Sequence, residues 1–293
     1  MPLNTKEIRR RIKSVQSTQK ITKAMEMVAA AKVRRAQQRV LASRPYADKL
    51  SQLFAQLVTQ LPPGEVQHPL LERREVKQVL LVIITSDKGL CGGYNANLLR
   101  HALARLRELQ GEAIGAQLLL VGTKGINFFR QSGFAVVGRI SGLAAIPSYA
   151  EATVLAEEAR KFYESRQFDR VELIFTRFQS MMRYQPALFE LLPSQLPEIA
   201  NQERAPRIPY LFEPDAERMM DEVIPAYLTT TIYQAMLDAV ASELASRMVA
   251  MGSASKAAGE MIDHLTLIYN KARQASITQE ILEVVGGAEA LKG

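Results

Sequence analysis

The stretch IRRRIKSVQSTQKITKAMEMVAAAKVRRAQQRV, residues 8–40, has apolar or small side chains in steps of three and four residues, interrupted by the polar Gln19 and Glu26. This spacing predicts a long amphipathic α-helix, and residues 215–290 show the same pattern at the other end of the chain. Neither end can bury its apolar stripe alone, so we predict that the two ends pack together as a long antiparallel coiled coil. The stripe of the first helix consists of Ile8, Ile12, Val15, Thr22, Ala29, Val33, Ala36 and Val40.

Proline residues mark the limits of both predicted helices. The first should bend at Pro45 and end at Pro62, and the second should start near Pro214 and bend at Pro225. At 1.5 Å per residue, such a helix extends roughly 90 Å. The expected segments are a coiled-coil helix at 1–62, an α/β domain at 77–195, a linker at 196–213 and a second coiled-coil helix at 214–293.

The middle of the chain alternates between strand-like and helix-like patterns. This order predicts βα units with a mostly parallel sheet, as in a Rossmann-like α/β domain, with an antiparallel hairpin joined by Gln179–Pro186 at one edge. The fold class is therefore mixed: a long antiparallel coiled coil plus an α/β domain. The predicted strands are Val79–Thr85, Leu118–Val121, Phe134–Ile140, Val171–Phe178 and Ala187–Leu192. The predicted helices between them are Ala96–Leu109, Lys124–Gln131 and Tyr149–Arg166.

The net charge of +7 is concentrated in the first helix. Residues 1–44 hold twelve Lys and Arg against Glu7 and Glu26, a net charge of +10, so the rest of the chain carries −3. Residues 247–293, which an antiparallel fold places beside this helix, hold five basic and five acidic groups and cannot neutralise it. A charged face is often only solvated, but an excess of this size favours an acidic partner.

Composition excludes several classes of function. Cys91 is the single cysteine, so the chain can form no internal disulfide and no cysteine zinc cluster, and a reducing compartment is expected. The three histidines share no ligand spacing, so we expect no metal site. The longest apolar run, Val79–Ile84, is far short of the ~20 residues that span a bilayer. The Arg-rich N-terminus resembles a transit peptide, but its helical pattern continues to Arg44, which favours mature protein.

Residues 85–95, TSDKGLCGGYN, follow a predicted strand and open a predicted helix, where phosphate and dinucleotide loops lie. The loop matches neither G-x-x-x-x-G-K-[ST] nor G-x-G-x-x-G, and Lys88 precedes the glycines instead of following them. We therefore expect a structural role, in which Gly89, Gly92 and Gly93 allow a tight turn with positive φ. Cys91 is expected to be a small buried residue, and we expect no catalytic residue and no cofactor.

Residues 270–280 are polar where the second helix should otherwise pack. Arg273, Gln274 and Thr278 could donate hydrogen bonds along one side of the helix, although an ordinary wet helix face explains the pattern equally well. The residues beyond them are apolar on more than one face. They need a surrounding hydrophobic surface, or else this end of the helix frays.

These segments together resemble the gamma subunits of rotary ATP synthases. The resemblance rests on residues 6–28, on the 86–95 loop and on residues 269–279, and it spans essentially the whole chain. It implies a central rotor shaft inside a ring of three alpha and three beta subunits, with the α/β domain as a foot on the membrane ring of c subunits beside epsilon. The shaft performs no chemistry, binds no cofactor and couples ion-driven rotation to ATP synthesis or hydrolysis.

The resemblance also assigns contacts and location. Arg273, Gln274 and Thr278 match positions that hydrogen-bond to the surrounding ring, and Lys23 and Met25 match the region facing an acidic lever of beta. The basic helix, including Arg34 and Arg35, thereby gains an acidic partner. The location implied is the cytoplasmic face of a bacterial membrane, peripheral and reached only through the ring. For the foot contact we expect the aromatic segment Tyr210, Leu211 and Phe212, since exposed aromatic residues suit a docking surface.

Two other functions remain open from the residues alone. A nucleotide-dependent enzyme built on the middle domain predicts that the isolated chain binds ATP or NAD, and the missing phosphate motif counts against it. A basic coiled-coil nucleic-acid binder predicts an affinity that falls steeply with salt, but it leaves the apolar end and the α/β domain unexplained.

Overall fold

The computed structural model describes residues 5–60, 68–194 and 216–290. These residues form two compact units, one within 1–30 and 247–293 and the other within 31–246. The helices are α1 (Thr5–Gln60), α2 (Tyr94–Gly111), α3 (Thr123–Phe129), α4 (Tyr149–Glu164) and α5 (Ala216–Ala290), with a short 3₁₀ turn at Pro69–Leu71. The strands are β1 (Gln78–Ile84), β2 (Gly115–Val121), β3 (Val136–Ile140), β4 (Arg170–Ser180) and β5 (Arg183–Leu192).

The sheet belongs to the larger unit and has the strand order β3-β2-β1-β4-β5. Its neighbouring strands are parallel, except that β4 and β5 form an antiparallel pair at one edge. From Val79 to Ile84 every residue of β1 is buried, because helices cover both faces of the sheet. The predicted parallel sheet with an antiparallel edge is confirmed.

Alternate residues of β1 enter two different cores. Leu80, Val82 and Ile84 pack in a cluster that also contains residues of α1, α4 and α5. Val79, Leu81 and Ile83 face the other way and pack with residues of α2 and with Phe129 of α3. This is the period-two alternation of a strand, and it seats the sheet between helices on both sides.

α1 and α5 pair in antiparallel fashion inside each unit. In the larger unit the rings of Phe54 and Tyr227 lie 4.9 Å apart, and Val33 shares a small cluster with Ala245. In the smaller unit Gly259 lies against Gln19 and Gly252 against Glu26, so residue numbers rise in one helix as they fall in the other. The predicted antiparallel pairing of the two ends is confirmed.

The hairpin connection differs from the prediction. The sequence pattern indicated a connection at Gln179–Pro186, but β4 runs to Ser180 and β5 starts at Arg183, so only Met181 and Met182 form the turn. Pro186 therefore lies inside β5, opposite Thr176. A proline fits there because β5 is an edge strand. α1 and α5 also continue through Pro45 and Pro225 as single helices.

Candidate partner-contact surfaces

Lys23 and Met25 lie in the smaller unit, on the part of α1 that packs against α5. Lys23 is exposed and its ammonium lies 3.2 Å from Glu26, while Met25 is half-buried. An open groove of about 800 Å³ runs beside Lys23, lined by three lysines, Glu26, Met27 and small or polar residues, whereas Met25 does not line it. The lysines of this groove are Lys20, Lys23 and Lys256. Three ammonium groups against one carboxylate make it suited to acidic side chains.

Arg34 and Arg35 lie in the larger unit and are both exposed. Their orientation is set by their neighbours Val33 and Ala36, which are fully buried against α5. The only two acidic residues of the first 44 pair inside α1, Glu7 with Arg11 at 3.0 Å and Glu26 with Lys23. Neither of these acidic residues is therefore the partner of Arg34 or Arg35.

Arg273, Gln274 and Thr278 lie on the last part of α5 and are all exposed. Thr278 is one turn beyond Gln274, and its hydroxyl donates to the Gln274 carbonyl at 2.9 Å. From Arg273 to Ala288, every described side chain is exposed. Five large apolar side chains are among them, namely Ile277, Ile281, Leu282, Val284 and Val285. Exposed apolar surface of this extent marks an interaction site.

The aromatic segment Tyr210, Leu211 and Phe212 lies outside the described residues. The same holds for the predicted 196–213 linker, since the described residues end at Ser194 and begin again at Ala216.

In the 86–95 loop the glycines differ from one another. Gly92 has a φ of +53°, as expected, whereas Gly93 has a φ of −83° and caps the start of α2. Gly89 is also not among the glycines with a positive φ, contrary to the prediction, and a Cβ added there would contact only the flexible end of the Lys124 side chain. The second positive φ belongs to Leu90, at +63°, and its side chain is 62% exposed. The sequence prediction missed this residue, because a leucine gives no signal for a left-handed conformation.

The edge of the sheet where nucleotide-binding proteins hold phosphate is occupied by this chain's own atoms. The N–H of Ser86 donates to Asn95, that of Thr123 to Asp87, and that of Gly125 to the Thr85 hydroxyl. Phosphate loops need such N–H groups free, so these three N–H groups are not available to a phosphate. Cys91 is buried, which agrees with its prediction as a small core residue.

The carboxylate of Asp87 would also repel an anion bound at this edge. Burial raises the pKa of Asp87, but hydrogen bonds from the Thr123 hydroxyl and from the Thr123 and Gly142 N–H groups outweigh it, so the pKa lies below its usual value. The carboxylate is therefore charged at neutral pH. Asp87 was not singled out within the loop from the sequence, although its position after a parallel strand was a usable signal.

Helix α5 packs against the same edge of the sheet through two serine side chains. The Ser246 hydroxyl donates to the Cys91 carbonyl at 2.6 Å, and the Ser242 hydroxyl donates to the Thr176 carbonyl at 3.2 Å. Both serines are buried. Sequence reasoning missed them because the Ser246 contact joins residues 155 positions apart.

Two negative findings apply to residues 5–60, 68–194 and 216–290. No helix in these segments has the length and apolar character to cross a membrane. Nor do they bring three His, Cys, Asp or Glu side chains together in a group that could hold a metal ion.

The family model and the relatives that match this chain agree on one protein family. A family model described as ATP synthase matches residues 4–291. The ATP synthase gamma chain of Nostoc punctiforme is 44% identical over 312 aligned residues, covering 98% of this chain and 99% of the relative. That of Desulforamulus reducens is 45% identical over 289 residues, covering 99% of each.

Solved structures agree with these relatives. A chain from the central stalk and c-ring of the Tetrahymena thermophila mitochondrial ATP synthase is 26% identical, with a TM-score of 0.61. The match covers 80% of this chain and 99% of that chain. Because the family model and the relatives span nearly all of its length, the chain belongs to the ATP synthase gamma chain family.

Proposed function

We propose that this chain is the non-catalytic central shaft of a rotary ATP synthase. It couples ion-driven rotation of a membrane ring to ATP synthesis and hydrolysis in the catalytic subunits, and it thereby regulates ATPase activity and proton flow. The observation that carries this proposal is the end of α5, where every described side chain from Arg273 to Ala288 is exposed and five of them are large and apolar. Such a surface requires a surrounding partner.

The mechanism follows from the lack of symmetry of a single chain. Its flanks differ in charge and apolar surface, so three identical neighbours around it meet three different sets of contacts. Each ligand-bound state of a neighbour is then favoured by a different orientation of the shaft, which constitutes a coupling free energy between rotation and binding. No group transfer by this chain is needed.

The partners in this proposal are a ring of three alpha and three beta subunits, an epsilon subunit and a membrane ring of c subunits. Arg273, Gln274 and Thr278 hydrogen-bond to the ring around the apolar end. The groove beside Lys23 and Met25 faces an acidic segment of beta, which its three lysines suit. Arg34 and Arg35 are further contacts to acidic groups.

Residues 77–195 act as the foot in this proposal, standing on the c-ring beside epsilon, with Tyr210, Leu211 and Phe212 in the foot contact. The complex lies on the cytoplasmic face of a bacterial membrane, and ion flow drives its rotation. Similarity to the chain from the Tetrahymena central stalk and c-ring supports the placement of the foot on a c-ring.

Native mass spectrometry tests the proposal. The chain is mixed with the alpha and beta subunits of its source, and the product is weighed and assayed for ATP hydrolysis. We expect one copy of the chain with three of each partner, active in hydrolysis, while the chain alone is inactive. A chain that stays free and binds or hydrolyses ATP alone overturns the proposal.

A further inference from the structure

Two serines of α5 direct their hydroxyls away from their own helix, as Thr230 does towards the Tyr149 hydroxyl of α4 at 3.3 Å. Thr229, Thr231 and Thr278 each donate back to the carbonyl four residues earlier in their own helix, which is the ordinary arrangement. Ser242 and Ser246 donate outward instead, to the carbonyls of Thr176 and Cys91. The two serines are one turn apart, so they lie on one face of α5.

Both acceptors lie at the same edge of the sheet. Thr176 belongs to β4, beyond the last residue of that strand that pairs with β1, and Cys91 lies in the loop that follows β1. Ser242 therefore donates to a β4 carbonyl that lies beyond the part of the strand paired with β1.

Small apolar side chains surround the two serines on α5. They are nearly or fully buried and belong to Ala239, Ala241 and Ala245. Burial of small apolar side chains is non-directional and does not by itself fix the rotation or sliding of a helix. Hydrogen bonds are directional, so the two serine bonds help to set the register of α5 against this edge, together with the bond that the Phe178 N–H of β4 donates to Asp238 one turn earlier in α5.

The loop that holds Cys91 is braced in turn. The Ser86 N–H donates to the Asn95 side-chain oxygen at 3.1 Å, and the Asn95 amide nitrogen donates to the Ser86 hydroxyl at 2.8 Å. The same amide nitrogen lies 3.2 Å from the sulfur of Cys91. A force on the Cys91 carbonyl therefore passes to Ser86, two residues after the end of β1.

We propose that Ser242 and Ser246 are positioning residues that lock α5 to the sheet, and that rotation passes between the α/β domain and α5 through this serine lock. This inference rests on the proposed shaft function. It concerns how rotation is transmitted inside the chain, not which partners surround it.

The test uses the assembled complex in inverted membrane vesicles, with ATP hydrolysis and proton uptake measured together. The variants are the double substitution Ser242→Ala/Ser246→Ala and each single substitution. Thr266→Ala is the matched control, since it removes an exposed hydroxyl of α5 that donates to its own helix. Losing two hydrogen bonds raises the population of an unlocked register by roughly thirtyfold.

We expect the number of protons taken up per ATP hydrolysed to fall by about twofold or more in the double variant. The rate of hydrolysis should change little, and the Thr266→Ala variant should have the same ratio as the parent. An unchanged ratio in the double variant overturns the serine lock and leaves the shaft function standing. A parent complex that hydrolyses ATP without proton uptake counts against the shaft function instead. If the double variant does not assemble, each single variant is read by the same ratio, and parent-like ratios in both overturn the lock.

Discussion

Arg105 of α2 donates two hydrogen bonds to the buried carboxylate of Glu172 in β4, from Nε at 2.8 Å and from Nη2 at 2.7 Å. The Glu172 side chain is only 3% exposed, and Arg170 lies 2.9 Å from the same carboxylate. The bonds to Glu172 are the main reason that the pKa of Arg105 lies above its usual value. This pair fastens α2 to the middle of the sheet, on the side away from α4.

Glu172→Gln should therefore lower the free energy of unfolding by about 2–3 kcal/mol, because it removes the buried carboxylate from two partly buried guanidinium groups, of which Arg105 keeps only its exposed partner Glu108. The control is Glu75→Gln, since Glu75 pairs with Lys77 at 3.2 Å where both side chains are largely exposed. Such surface pairs contribute about 0–1 kcal/mol. Urea titration of both variants measures the difference, and equal losses would contradict this account.

Asp238 of α5 lines a cavity of about 180 Å³ together with Tyr227, Gln234 and Arg177. Burial raises the pKa of Asp238 to about 6 from 3.8, against the opposing effects of Arg44, the Phe178 N–H and Arg177. The folded state therefore holds this proton more tightly than the unfolded state. The charged carboxylate destabilises the fold fully above pH 6, and the penalty disappears as the pH falls from 6 towards 4.

Asp238→Asn removes that penalty. We expect the variant to unfold with a free energy about 2 kcal/mol higher than the parent at pH 8, and with no difference near pH 4. Urea titrations at several pH values measure the two curves. A variant that is less stable at pH 8 and more stable at pH 4 would show that the sign is reversed.

Gly122 occupies the turn between β2 and α3 with a φ of +92°. A Cβ there would collide with the Thr85 carbonyl oxygen, so Gly122→Ala should cost about 3 kcal/mol or more of stability. Gly133, with a φ of +77° and open space around it, is the matched control. Gly133→Ala carries only the backbone strain, about 1 kcal/mol. Thermal melting compares the two, and equal shifts would show that the collision is relieved.

Arg34 is an exposed contact in the proposed function, and an exposed ion pair contributes about 0–1 kcal/mol. Arg34→Glu alone should therefore lower ATP turnover of the assembled complex by no more than about fivefold, and Arg35→Glu should behave alike. Torque in this account is spread over many contacts. Complete loss of coupling from one such reversal, with the complex still assembled, would be incompatible with it.

Much of the fold could be predicted because its signals are local. The uninterrupted apolar run of β1 indicated burial on both faces, and Val79–Ile84 are all buried. The stripe through Val33, Ala36 and Val40 indicated the face of α1 that packs, and these three residues have no more than 1% exposure. Period and side-chain type are sufficient for such conclusions.

The features that were missed depend on contacts between distant parts of the chain. Pro186 suggested a turn, but the edge position of β5 accommodates a proline in a strand. Leu90 and Ser246 carry no local mark of their conformation or partner. The partner contacts Lys23, Met25, Arg34, Arg35, Arg273, Gln274 and Thr278 stay predictions, because their partners are other chains.

The most direct test of the shaft function is rotation in the assembled complex. A bead is attached to a cysteine introduced by Val154→Cys on α4, where Val154 is 57% exposed, while burial shields the native Cys91 from the label. The complex is fixed to glass through its beta subunits and given ATP. The account predicts that the bead turns in one direction in three steps per revolution. A bead that stays still while the same complex hydrolyses ATP would contradict it.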